Sequence, residues 1–135
     1  MAIVTGQTIL AADVVVKAQL VVADSEVYSG NSPTNWTDLD LNATVGANLA
    51  LVLLRITAGA ISMSAYAFRA NGDAEEYFTA DAASEQSGVN KGHDATAALA
   101  HLHLVNTDAA GVIEWRTEVA TACVIDVVAY IIQGG

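Results

Sequence analysis

VIEWRTEV, the stretch from Val112 to Val119, alternates apolar or small side chains with charged ones at a period of two. Ile113, Trp115 and Thr117 fall on one side of an extended chain, and the residues between them are Glu, Arg and Glu. A strand of this kind has one buried face and one solvated face, which is typical of antiparallel sheets. We therefore predict a strand here, with Trp115 anchored in the core.

Further segments of similar length surround this stretch and are separated by Gly, Asn and Asp. The predicted strands are residues 36–41, 49–57, 61–69, 75–79, 97–106, 112–119 and 123–132. Seven short strands at this spacing are typical of an antiparallel sandwich or barrel. The pair Asn71-Gly72 is a hairpin signal, and NTDAAG, residues 106–111, predicts a longer turn of the same kind. We predict an all-β fold, an antiparallel, jelly-roll-like β-sandwich.

The N-terminal residues differ from the rest of the chain. Residues 9–23 are rich in apolar side chains whose spacing fits either a helix or two short strands. The turn-rich stretch DSEVYSGNSPTN, residues 24–35, then marks a boundary. We predict an apolar N-terminal arm at residues 1–24 and a β-sandwich domain at residues 25–135. The candidate assembly interface is on the arm: Ile3, Ile9, Leu10, Val14 and Val15.

ALVLLRI, residues 50–56, is apolar on both faces of an extended chain. We expect the core to bury one face and a neighbouring element or subunit to bury the other. The arm and VVAYII, residues 127–132, add more apolar surface than one small sandwich readily covers, and such surfaces usually mark association. We therefore predict a homo-oligomer, a trimer closed by symmetry.

Composition narrows the classes of function. The 135 residues are 53% hydrophobic but only 6% aromatic, and 15 acidic residues against 5 basic ones give a net charge of −10. This charge repels phosphate, so we predict no nucleic-acid partner. The start of the chain lacks the pattern of a signal peptide and no apolar run is long enough for a membrane span, so we predict no membrane partner. The single cysteine, Cys123, lies in an apolar run and is interpreted as a buried structural thiol.

The motif AHLHL places His101 and His103 on the same face of a strand. Two imidazoles at this spacing can bind one metal ion, with copies around a threefold axis completing the ligand set, and His93 lies in the preceding loop. The alternative is a solvent-facing pair on a strand whose other face buries four apolar residues: Ala98, Ala100, Leu102 and Leu104. We favour the second interpretation and predict no metal.

Acidic residues offer two other candidate sites. Asp38 and Asp40 flank Leu39 at a spacing that could serve paired catalytic carboxylates, but no nucleophile or orienting residue accompanies them. NGDAEE, residues 71–76, lacks the alternating acidic spacing of a calcium loop and predicts a charged hairpin tip. We therefore predict that the protein is not an enzyme and holds no cofactor.

Arginine and tryptophan residues within the apolar segments are given structural roles. Arg55, Arg69 and Arg116 are expected to pair with carboxylates, since acids are abundant. Trp36, like Trp115, is interpreted as a core anchor.

Three stretches, residues 32–56 (SPTNWTDLDLNATVGANLALVLLRI), 66–77 (YAFRANGDAEEY) and 101–131 (from HLHLVNTDAAG to VVAYI), resemble small β-sandwich structural proteins of tailed bacteriophages. The opening TGQTILAADV, residues 5–14, is similar to the openings of phage appendage and decoration proteins. The resemblance implies a virion component that is assembled in the host cytoplasm, with the major capsid protein or another virion protein as its partner.

Our leading expectation is a capsid decoration (cement) protein on the outside of a phage head. One alternative is a tail or fibre component whose loop at residues 81–96 forms a receptor-binding tip. A second alternative, from another class, is a carbohydrate-binding module on a similar sandwich.

Overall fold

A computed structural model describes residues 18–58, 66–74 and 99–133 of the chain. Seven strands and one turn of α-helix make up these residues. They are β1 (Ala18–Asn31), β2 (Thr37–Asp40), α1 (Asn42–Val45), β3 (Ala50–Ala58), β4 (Tyr66–Ala70), β5 (Leu99–Asn106), β6 (Val112–Thr117) and β7 (Ala122–Gln133). The prediction of an all-β fold is confirmed. The predicted strand at residues 75–79 lies outside the described residues.

The strands form two antiparallel sheets. One sheet has four strands in the order β1-β7-β3-β5, and the other has three in the order β2-β6-β4. Both sheets contribute to one hydrophobic core, whose largest fully buried side chains include Trp115, Tyr66, Leu54, Ile56 and Ile125.

Strand β6 follows its sequence pattern closely. Ile113, Trp115 and Thr117 are at most 1% exposed, and the intervening side chains are only partly buried. Trp115 pairs across the ladder with Thr37 on one side and with Phe68 on the other. The predicted inward and outward faces of this strand are therefore confirmed.

Strand β1 occupies residues that were predicted to form the end of the arm and a turn-rich boundary. Residues 18–24, which were predicted to belong to the arm, are part of this strand. Residues 24–31 were predicted to be turn-rich, and this prediction is wrong because they continue the same strand and pair with β7. The turn-forming residues are accommodated by two register shifts, and Asp24 takes a left-handed backbone with φ of 48°. The strand runs through the predicted boundary at residues 24 and 25, while residues 1–17 lie outside the described residues.

Strand β3 is buried on one face within the chain. Val52, Leu54 and Ile56 are fully buried, whereas Leu51 is 39% exposed and Leu53 and its neighbours on that side are partly buried. The expected burial of the second face by a neighbouring element or subunit therefore stays a prediction.

The connection from β5 to β6 joins the two sheets, so the predicted hairpin at residues 106–111 is wrong. Asp108 organises this turn, because its carboxylate accepts hydrogen bonds from the backbone N–H of Val112 and Ala110, each at 2.9 Å. These bonds and one from the Asn71 amide hold the pKa of Asp108 below its usual value. Gly111 closes the turn with φ of 80°.

Cys123 is buried, as predicted, and burial raises the pKa of its thiol to about 11. A thiol with this pKa stays protonated near neutral pH and is a poor nucleophile or metal ligand. In the described parts of the chain, no helix has the length and apolar character that a membrane span requires.

Candidate functional site

The four-stranded sheet turns one face away from the core, and we call it the outer face. Two rows of apolar side chains cross it at the end of the sheet where β1 begins. The ladder register aligns the first row as Leu20, Ile131 and Leu51, and the second row as Val22, Ala129, Leu53 and Leu104. Unlike core residues, several of these side chains reach far into solvent, and Leu20 is 66%, Val22 78% and Leu104 60% exposed.

Side chains in the middle of the two apolar rows project less far from the sheet than those at its edges. Ala129 on β7 is small, and the central Leu51 and Ile131 are 39% and 38% exposed, less than the edge residues. The result is an apolar groove with a volume of about 170 Å3, lined by Leu20, Leu51, Leu53, Leu104, Ala129, Tyr130 and Ile131. On one side it is lined by Leu104 of β5, and Leu102, the next outward-facing residue of that strand, lies opposite Arg55. We call these two leucines the β5 ridge.

A charged row ends the apolar part of the outer face. Arg55 lies opposite Asp126 in the ladder, and its guanidinium group contacts the carboxylates of Asp126 at 3.0 Å and of Asp24 at 3.2 Å. The hydrogen bond from Arg55 to Asp126 is the main cause that raises the pKa of Arg55. The predicted carboxylate partners of Arg55 are thus confirmed, and so is that of Arg69, whose Nε donates to Glu114 at 2.8 Å.

The two faces of β5 are the reverse of those we favoured from the sequence. His101 and His103 do share a face, but they turn inward against aromatic rings of β4, with His103 5.2 Å from Phe68 and 6.1 Å from Tyr66. Leu102 and Leu104 are about 60% exposed instead of buried, Ala100 is also exposed, and Ala98 lies outside the described residues. The imidazoles pack edge-on and tilted against the rings, which explains why they are tolerated beside the core.

A polar recess of about 380 Å3 opens beside this histidine face, between β4 and β5. Its polar lining comprises Arg69, Asp73, His103 and Asn106, and among its described lining residues there is no Ser, Thr or Cys nucleophile. His93 lies outside the described residues, and within them no group of three His, Cys, Asp or Glu side chains is placed to hold a metal ion. The titratable groups that line this recess are therefore one imidazole, one carboxylate and a guanidinium group that is already paired with Glu114.

Burial of His103 predicts a loss of stability on mild acidification. Desolvation lowers the pKa of His103 below its usual value of 6.5, so the folded chain binds this proton less readily than the unfolded chain. Its contribution to stability is then complete above about pH 6.5 and falls as the pH drops below that value. Urea unfolding between about pH 7.5 and 5 should show this decline, and H103Q should lose less stability over the same range. An equal decline in H103Q would contradict the assignment.

The two carboxylates of β2 face solvent, and one of them supports the local backbone. Asp38 and Asp40 are exposed on either side of the buried Leu39, as predicted. Asp40 accepts a hydrogen bond from the backbone N–H of Asn42 at 2.8 Å and so supports the start of α1. We find no nucleophile among the contacts described for this pair.

Trp36 is not the core anchor that we predicted. It is only partly buried, and the guanidinium group of Arg69 lies 3.9 Å from its ring centroid, with that of Arg116 at 5.9 Å. Such contacts are attractive because the face of the ring carries negative potential. Arg69 therefore occupies one face of the Trp36 ring, and that face is not open for stacking a sugar.

The predicted assembly residues Ile3, Ile9, Leu10, Val14 and Val15 lie outside the described residues, as does the loop at residues 81–96. The structure instead points to the outer face, which sequence reasoning missed as a site. The signal was present, since ALVLLRI and VVAYII are apolar on both faces, but nothing showed that β1 and β5 would extend the same surface.

Comparisons with models of known protein families, with curated proteins and with solved structures give no match for this chain. Function is therefore inferred from the surface itself. Its most distinctive feature in the described residues is an exposed apolar face bounded by a charged row.

Proposed function

We propose that the protein is a non-enzymatic structural subunit of a virion, of the capsid-decoration type, which assembles with itself and with the major capsid protein or another virion protein. The observation that carries this proposal is the exposed apolar surface formed by the two apolar rows and the β5 ridge of the outer face. Six large side chains there are between 38% and 78% exposed: Leu20, Val22, Leu51, Leu102, Leu104 and Ile131. An apolar patch of this size is near the upper end of those that monomeric proteins carry, and such patches usually serve association.

The energy available from this face suits a repetitive assembly. Completing the burial of one Leu, Ile or Val side chain contributes up to about 1.5–3 kcal/mol, so several half-exposed side chains supply several kcal/mol per subunit. Repetition over many copies then multiplies a modest affinity per subunit into strong attachment. The net charge of −10 keeps free subunits soluble before they assemble.

The order of the strands supports a jelly-roll sandwich as the architecture. Each described strand, from β2 to β7, lies in the other sheet from the described strand before it in the chain. A turn follows β4, where Gly72 has φ of 80° and Asp73 donates to the carbonyl of Ala70. Jelly rolls of this size are frequent in viral capsid proteins.

Localisation on particles tests the proposed function. Antibodies raised against the purified chain should label the heads of phage particles from a culture that produces the protein, in immunogold micrographs. Labelling confined to tails or fibres would favour the tail alternative. Purified particles without label, from a culture in which the protein is abundant, would overturn a virion role, and a glycan array then tests the carbohydrate-binding alternative.

A further inference from the structure

We propose that the apolar groove is occupied by the β5 ridge of a second copy of this chain. The inference rests on the proposed function, because it names the partner that covers the outer face of a structural subunit. Groove and ridge lie side by side on the same face, so every copy carries both halves of the contact. An interface formed by one patch on both partners requires this kind of self-complementarity.

The shapes of the two parts match. Leu102 and Leu104 stand 59% and 60% exposed at one edge of the sheet, while Ala129 leaves the floor of the groove low. A volume of about 170 Å3 is enough for one or two leucine side chains. The ridge of one copy can therefore enter the groove of another when the two outer faces are offset by the spacing of one or two strands, about 5–10 Å.

The distribution of charge favours contact at the same place. Two copies that each carry a net charge of −10 repel one another over most of their surface. The two apolar rows contain no charged residue. The next row holds Arg55, Asp126 and the exposed Glu26, with Asp24 beside it, and Arg55 compensates Asp126 and Asp24 in part. The two apolar rows, which include Leu104 of the β5 ridge, are thus the part of the outer face where two copies approach without bringing acids into direct contact.

The size of the surface is adequate for a stable contact. The six exposed side chains offer on the order of 500 Å2 of apolar area, which is near the upper end for a patch on a monomer. A standard interface buries about 800 Å2 on each partner, of which about 56–65% is apolar. The patch therefore supplies about the apolar share that such an interface needs.

Light scattering coupled to size exclusion tests the contact with ridge and groove variants. Wild-type protein at about 1–100 µM should form multimers, with a mass of at least twice 13.9 kDa. L102K places a charge on the ridge, and A129F fills the groove, so each should weaken association at least tenfold. V119K is the matched control, because Val119 is also apolar and 49% exposed but lies in the turn between β6 and β7, away from the outer face. Circular dichroism verifies that each variant is folded.

Mixing the two variants gives a sharper readout. L102K retains an intact groove and A129F retains an intact ridge, so an equimolar mixture should regain one contact and associate more strongly than either variant alone. A wild-type mass of 13.9 kDa over the whole concentration range would overturn the inference. So would a multimer whose mass neither variant changes.

Labelling of particles separates this inference from the proposed function. If L102K and A129F stay multimeric but no longer bind heads, the outer face contacts the particle, and only the self-contact is wrong. If both variants dissociate while wild-type protein labels no particle, the self-contact holds and the virion role fails.

Discussion

Replacement of Trp115 by alanine should lower the free energy of unfolding by about 3–5 kcal/mol. The indole is 1% exposed and contacts side chains from both sheets. Its ring meets Tyr28 edge-on at 4.8 Å and stacks on Phe68 at 6.0 Å, so truncation removes contacts to both sheets and leaves a cavity. Domains are stable by only about 5–15 kcal/mol, and W115A should therefore show a much lower denaturant midpoint in urea or guanidinium unfolding.

Trp36 provides the matched control for this experiment. It is a tryptophan of the same three-stranded region, but it is only partly buried and its main described contact is with the guanidinium group of Arg69. W36A should cost about 1–2 kcal/mol, clearly less than W115A. A larger loss in W36A than in W115A would contradict the burial assigned to the two residues.

The second large effect is expected at Gly111. Its φ of 80° already disfavours a side chain, at a cost of about 1–2 kcal/mol. In addition, a Cβ atom at this position would lie 2.3 Å from the carbonyl oxygen of Gly46, which is backbone and cannot rotate away. G111A should therefore displace the turn between β5 and β6 from α1 and cost about 1–3 kcal/mol beyond the conformational term.

Gly72 isolates the contribution of that close approach. It also has φ of 80°, but a Cβ atom there would meet nothing within 4 Å. G72A should show the conformational cost alone, so the difference in unfolding free energy between G111A and G72A measures the clash with Gly46. Equal losses of unfolding free energy in the two variants would show that the segment around Gly46 moves away without an energetic cost.

Prediction from the sequence was most accurate for strands whose two faces differ most in polarity. In β6, charged residues alternate with Ile113, Trp115 and Thr117, and the charges cannot be buried without partners, so only one orientation of the strand is compatible with a core. The same reasoning places Leu39 inward between two aspartates. The two-residue period alone was sufficient at these positions.

Strand β5 shows why the period is not always sufficient. Alternation establishes that His101 and His103 share a face, but it does not establish which face is turned inward. Histidine is amphipathic and packs against the rings of Tyr66 and Phe68, which are more than 30 residues away in the sequence. The leucines lie outside because the outer face of this sheet is itself apolar. Both facts depend on tertiary contacts, and no local pattern contains them.

The candidate site could be predicted from the sequence only in part, for a related reason. Residues 50–56 signalled a strand with two apolar faces, yet the apolar groove requires β1, β7, β3 and β5 to lie side by side. Residues 24–31 carry turn-forming side chains that β1 absorbs at its register shifts, so the strand was interpreted as an arm followed by a turn. The position of β1 beside β7 is a long-range pairing that neighbouring residues do not specify.

The irregular middle of β1 also affects how copies of this protein can aggregate. In the described sheet β1 is an outermost strand, and a long straight one would offer its free N–H and C=O groups as a template for another chain. The left-handed residue Asp24 and the two shifts in register twist the strand and interrupt that template. Strand-by-strand growth into cross-β fibrils is thereby hindered. Contacts between copies are then left to the side chains of the sheet faces instead of the backbone of this edge strand.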